Sequence, residues 1–244
     1  MSTANVSDAT ASLFEAAGFM PTASPSSMQP PAAPLRALRD GSGLAGVLRH
    51  PGIWRRGSAP GAAIEAEPTG LAGLDALLPG GGWPRGALSE ILIEQDGIGE
   101  CSLVLPALAA LTRARRRVVL VAPPYVPYAP ALTAAGVDLA LLVHIEANAA
   151  DTHWTAEQCL RAGCCGAVLN WLPQADYRQL RRLQLAAETG AAIGFVFRPL
   201  AAEAHASPAA LRLKVTAAEH ATCIEVLKCR GSLRGAPQVM RRRA

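Results

Sequence analysis

Aromatic residues make up only 5% of this 244-residue chain and charged residues only 17%, while half of it is hydrophobic. So little charge in so apolar a chain excludes wholesale disorder and leaves enough surface for a sizeable core. No Lys or Arg precedes Arg36, and Asp8 and Glu15 interrupt the early apolar residues, so no signal peptide is expected. The charge-free stretch 118–137 holds Pro123, Pro124, Pro127 and Pro130, which rule out a continuous membrane-spanning helix. The six cysteines form no C-x₂-C pair and the five histidines lie apart from them, which speaks against zinc. Those cysteines are expected to be small buried apolar side chains in a reducing cytoplasm, with no metal and no cofactor.

The charge present is unevenly placed. Lys228, Arg230, Arg234, Arg241, Arg242 and Arg243 close the chain without an acid among them, leaving 17 basic against 19 acidic residues in the rest. The chain divides into a flexible Ala/Ser/Thr/Pro leader (1–34), a short helical segment with linker (35–67) that carries Trp54 as an anchor, an α/β core (68–228) and a basic tail (229–244). Within the core, strands are expected at 88–93, 117–122, 139–145, 166–172 and 191–197, separated by helices at 102–113, 129–135, 152–162 and 175–188. Their apolar runs are continuous rather than alternating, so the sheet is mostly parallel and covered on both faces. Two later runs, "LRLKVTA" and "CIEVLKC", alternate and predict antiparallel strands at or near an edge.

The loop after the first core strand has the outline of a phosphate-binding loop. Laid on G-x-x-x-x-G-K-[ST], "EQDGIGEC" puts Glu94 at the first glycine, Gly99 at the second, Glu100 at the lysine and Cys101 at the hydroxyl residue, with Gly97 making a tight turn. Three key positions fail, and Glu94, Asp96 and Glu100 set carboxylates where a triphosphate would lie. The bland role for Glu100 is a partner for the positive end of a helix.

From these residues the chain resembles the RecA superfamily, through "TGLAGLDALLPGGGWPRGALSEI", and within it the ImuA family of translesion-synthesis accessory proteins. "HPGIWRRG", "DGIGECSLVLPALAAL", "VAPPYVPYAPALTAAGVDL", "AEQCLRAGCCGAVLNWL" and "LKCRG" carry that likeness. "GAVLNWL" and "AIGFVFRP" are also similar to SulA, the SOS-induced inhibitor of cell division. The resemblance implies a RecA-like core with a degenerate P-loop. The water-activating acid of such ATPases would fall at 122–125, where there is none. Asn170 and Trp171 stand where the metal-supporting aspartate would be. Losing four such groups together argues against phosphoryl transfer. The implied function is a non-enzymatic adaptor in SOS mutagenesis, cytoplasmic and nucleoid-associated when active, bridging RecA, ImuB and an error-prone DnaE-type polymerase. The alternatives are a RecA-type DNA-dependent ATPase and a SulA-like inhibitor that blocks polymerisation of the division protein FtsZ.

Other groups have structural as well as functional readings. The basic tail can touch DNA or an acidic partner, or simply be solvated. The run 113–117 ("RARRR") caps a helix; Arg178, Arg181 and Arg182 form a partner face or a solvated one. His144, Glu146, Asp151 and His153 have no recognised metal spacing, and Trp83, Trp154 and Trp171 are expected to be packing residues.

Overall fold

The computed structural model describes residues 65–218, 221–231 and 238–243. The leader 1–34, the helical segment as far as residue 64 with Trp54, and Arg234 lie outside the described residues.

Strands β1 (Ala66–Glu67) and β2 (Trp83–Pro84) pair antiparallel around the short helix α1 (Ala72–Asp75). A Cβ on Gly82 would collide with the Glu67 carbonyl, so only glycine lets these two strands meet. The core then alternates: β3 (Ala87–Ile93), α2 (Glu100–Arg113), β4 (Arg117–Val121), α3 (Ala129–Ala134), β5 (Leu142–Ile145), α4 (Thr152–Arg161), β6 (Cys165–Trp171), α5 (Tyr177–Gly190) and β7 (Ile193–Pro199). Strands β8 (Leu211–Ala218), β9 (Ala221–Cys229) and β10 (Gln238–Arg243) complete a single sheet in the order β10-β9-β8-β3-β7-β6-β4-β5.

The six strands from β5 to β8 run parallel, and their continuous apolar runs serve two cores at once. In β4, Val118 and Leu120 join the core under α2, while Val119 and Val121 join the one under α4 and α5. Trp83 closes the first core edge-on against Phe195, with ring centroids 4.9 Å apart. Each fully buried Leu or Val along these strands contributes roughly 1.5–3 kcal/mol of burial free energy. Among the described residues no helix is long and apolar enough to cross a membrane.

Three expectations need correction. Residues 139–141 are a 3₁₀ turn rather than strand, because Asp138 Oδ1 accepts a hydrogen bond from the Ala140 N–H and turns the chain there. The strand "LRLKVTA" is not antiparallel at an edge: β8 lies inside the sheet, parallel to β3 and antiparallel only to β9. A register partner explains this, since Glu90 of β3 stands opposite Arg212 of β8 and binds it. Finally, the basic tail contains a strand, β10, paired antiparallel with β9.

Candidate functional site

The parallel strands deliver their following loops to one edge of the sheet, where open α/β sheets hold ligands. Two such loops are distinctive. After β3, the segment 94–99 turns through Gly97 (φ 87°) and Gly99 (φ 92°), both left-handed, before α2 begins at Glu100. The Glu100 side chain folds back into this turn and accepts the Gly97 N–H with both carboxylate oxygens, at 3.1 Å each. It is buried there, and Ser102 Oγ donates to the Gly99 carbonyl at 2.5 Å. A carboxylate of the chain itself thus satisfies an amide that a phosphate oxygen would take, at a helix N-terminus that favours negative charge. Glu94 and Asp96 stand exposed beside it. An incoming phosphate would have to displace one carboxylate and sit between two more.

The two other positions of ATP chemistry carry no acid. Ala122, just after β4, has φ 45° and donates its N–H to the Ile145 carbonyl at 2.9 Å. Asn170 is fully buried, and neither its amide nitrogen nor its oxygen has a hydrogen-bond partner. Trp171 follows it, stacked on Phe197 at 4.9 Å.

The second loop, 122–128, is "APPYVPY". Its prolines fix the backbone and hold Tyr125, Val126 and Tyr128 outward, 71%, 84% and 71% exposed. Beneath lies a groove of about 240 Å³ with a floor of Val104, Leu108, Leu120, Leu169 and Trp171. Glu100 and Cys101 mark its end on the α2 side. On the other side of Trp171 a cleft of about 370 Å³ is bordered by Glu94, Asp96 and Arg198. Residue reading missed this apolar surface. Its signal was present: two of only three tyrosines fall in one proline-rich loop, and aromatics on a surface mark interfaces.

A charged cluster under the same edge was also missed. Glu90, fully buried in β3, receives Arg198 Nη1 from β7 and Arg212 Nε from β8, each at 2.7 Å. Arg198 further donates to the Ala175 carbonyl at 2.6 Å and Arg212 to that of Ala202 at 2.8 Å. One carboxylate and two guanidiniums therefore tie the centre of the sheet together.

The described basic residues of the C-terminal region are not brought together. Lys228 and Arg230 lie at the amino edge of the sheet, where Lys228 Nζ donates to the Ser207 carbonyl at 2.8 Å and Arg230 approaches Glu188 at 3.9 Å. Partial burial, and then the charges of Arg230 and Arg212, hold the Lys228 ammonium below its ordinary pKa. Arg241, Arg242 and Arg243 pair through the backbone with Cys223, Thr222 and Ala221, at the carboxyl edge beside the glycine loop. Of the other cations, Arg182 binds the buried Glu157 at 2.6 Å, as Arg161 does, and so ties α5 to α4. Arg115 pairs with Asp138 at 3.5 Å. His153 Nε2 donates to the Gln179 carbonyl at 2.8 Å, and no metal-holding group of three or more His, Cys, Asp or Glu occurs among the described residues. Trp154, expected in packing, is half exposed.

Comparison with known proteins matches a family model described as "Cell division inhibitor SulA" to residues 86–194. The Cell division inhibitor SulA of Yersinia enterocolitica is 30% identical over 116 residues, 47% of this chain and 69% of that one. Its counterpart in Yersinia pestis strain Pestoides F is 31% identical over the same shares. The crystal structure of SulA from Pseudomonas aeruginosa aligns at 25% identity with a TM-score of 0.40, covering 46% of this chain and 97% of that one.

Proposed function

This chain belongs to the SulA family, and on that premise we propose that it works by binding a protein partner in the bacterial response to DNA damage, without phosphoryl transfer. The single observation that carries this reading is the exposed Tyr125–Val126–Tyr128 surface over its apolar groove, which falls wholly within the matched span 86–194. Three large apolar side chains on a proline-stiffened loop lose little entropy on docking, which suits a binding anchor. The glycine loop beside it is filled by Glu100, so the body keeps its sheet and offers a surface in place of a nucleotide.

The first reading of the partner is the division protein FtsZ, whose assembly the protein would block as a SulA-like inhibitor. A second reading, the translesion adaptor that engages RecA, ImuB and a DnaE-type polymerase, is favoured by what lies outside the matched span. The hairpin of β1 and β2 and the whole β8–β9–β10 edge are additions to it, and that edge carries Arg241–Arg243.

Titrating the full chain into assembling FtsZ, followed by light scattering, separates the two. Inhibition near stoichiometric protein supports the first reading. Unchanged assembly at saturating protein removes it and directs capture assays to RecA, ImuB and the polymerase. A chain ending at Gly231 then asks whether the arginine strand matters. Cutting at Lys228 would be uninformative, because that residue pairs with Arg212 inside the sheet.

A further inference from the structure

The six cysteines are not all inert core. At the amino edge of the sheet, opposite the groove, Cys164 and Cys165 lead into β6 with their Sγ atoms 3.9 Å apart. Cys165 is fully buried, Cys164 is partly open to solvent, and Cys159 lies buried in the last turns of α4. Arg116, just before β4, and Arg117, its first residue, flank the pair: Arg116 Nη2 donates to the Cys165 carbonyl at 3.1 Å, and Arg117 stands opposite Cys165 in the sheet register. Gly163, left-handed at φ 72° with open space about it, gives the chain before the pair room to turn.

We propose that Cys164 and Cys165 form an oxidation-responsive dithiol, in which the accessible Cys164 attacks a hydroperoxide and Cys165 closes the disulfide. In the first step the Cys164 thiolate attacks the terminal oxygen of the peroxide and breaks the O–O bond, giving a sulfenic acid and an alkoxide or hydroxide that takes a proton from water. In the second, the Cys165 sulfur, giving up its proton, attacks the Cys164 sulfur, and the sulfenic oxygen leaves as water. Two thiols lose two electrons and two protons, and the O–O bond receives them.

The electrostatics assign these roles to different sulfurs. The hydrogen bond from Cys165, with the arginine charges of Arg117 and Arg116 adding to it, brings the Cys164 thiol down to about 6 despite its partial burial. Donating that same hydrogen bond, and burial, push Cys165 up, while burial and then the charge on Cys164 push Cys159 up to about 12. One sulfur is therefore the thiolate and its neighbour remains the proton-bearing thiol. Only thiolates attack peroxide at a useful rate, so reaction begins at Cys164.

The full chain is treated with hydrogen peroxide, remaining thiols are alkylated, and peptides are read by mass spectrometry. The expected result is a peptide holding Cys164 and Cys165 that has lost two hydrogens and regains them with dithiothreitol. With Cys165→Ser, a dimedone-trapped sulfenic acid should appear at Cys164 instead. Alkylation of Cys164 in the untreated protein should be half-maximal at about pH 6, and Arg117→Ala should move that midpoint upward. A Cys164–Cys159 disulfide with Cys165 free, or a Cys164 midpoint no lower than those of Cys223 and Cys229, would overturn the assignment.

Discussion

The loops 94–99 and 122–128 leave the same edge of the same sheet, share Trp171 as a neighbour, and have opposite fates. The first is glycine-rich and acidic, and it is satisfied from within: Glu100 takes the Gly97 amide. The second is proline-rich and aromatic, and it leaves Tyr125, Val126 and Tyr128 in water. A polar loop can fill its own binding site, because one side-chain carboxylate serves as well as a ligand's. Apolar side chains held outward on stiff backbone have no such internal remedy. A surface of that kind persists when something else covers it. On the proposed function, the difference assigns recognition to the loop that the ATPase comparison would treat as merely missing an acid.

The widest test of that contrast strikes the sheet both loops stand on. Glu90→Ala strips two buried arginines of their shared counter-ion and should lower unfolding stability by about 3–5 kcal/mol in urea titration. Partner binding should fall only in proportion to unfolded protein. If Glu90→Ala is as stable as the parent, the arginines find other partners and the triad does not hold the edge. The next test strikes one loop alone. Tyr125→Ala, Val126→Ala and Tyr128→Ala together should weaken the partner about a hundredfold by calorimetry, as expected for a cluster of anchors. Stability should move by about 0.5 kcal/mol or less, as at other exposed sites. Undiminished affinity in the triple variant would transfer recognition to the β8–β9–β10 edge.

Much of this was legible from residues alone, because apolar runs report burial directly. "RVVLVA" and "GAVLNWL" read as strands of a two-faced parallel sheet since Val and Leu there serve both cores. The acids of the glycine loop were equally plain, but their geometry was not: that Glu100 turns inward onto Gly97 depends on two left-handed glycines, and sequence does not fix such a rotation. Position along the chain also hid relations made only by folding. Glu90 finds its arginines 108 and 122 residues later. The six C-terminal cations read as one cluster because they are close in sequence; the antiparallel pairing of β9 and β10 sets Lys228 and Arg230 at one edge and Arg241, Arg242 and Arg243 at the other. Arg182 looked like a free surface cation because nothing near it in sequence announces the buried Glu157.

The mildest change asks whether the glycine loop is closed by charge or only by shape. Glu100→Gln keeps an oxygen able to accept the Gly97 N–H but removes the negative charge from the start of α2, so it should cost about 1 kcal/mol or less. Both the parent and the variant, titrated with Mg·ATP up to millimolar nucleotide, should give no saturable heat, because the lysine, the hydroxyl and both acids remain missing even when repulsion at Glu100 is relieved. Micromolar binding by the variant alone would mean that the carboxylate was the sole barrier and that the loop retains a phosphate cradle beneath it. Binding by the parent itself would remove the contrast between the two loops and put the nucleotide back at the centre of the function.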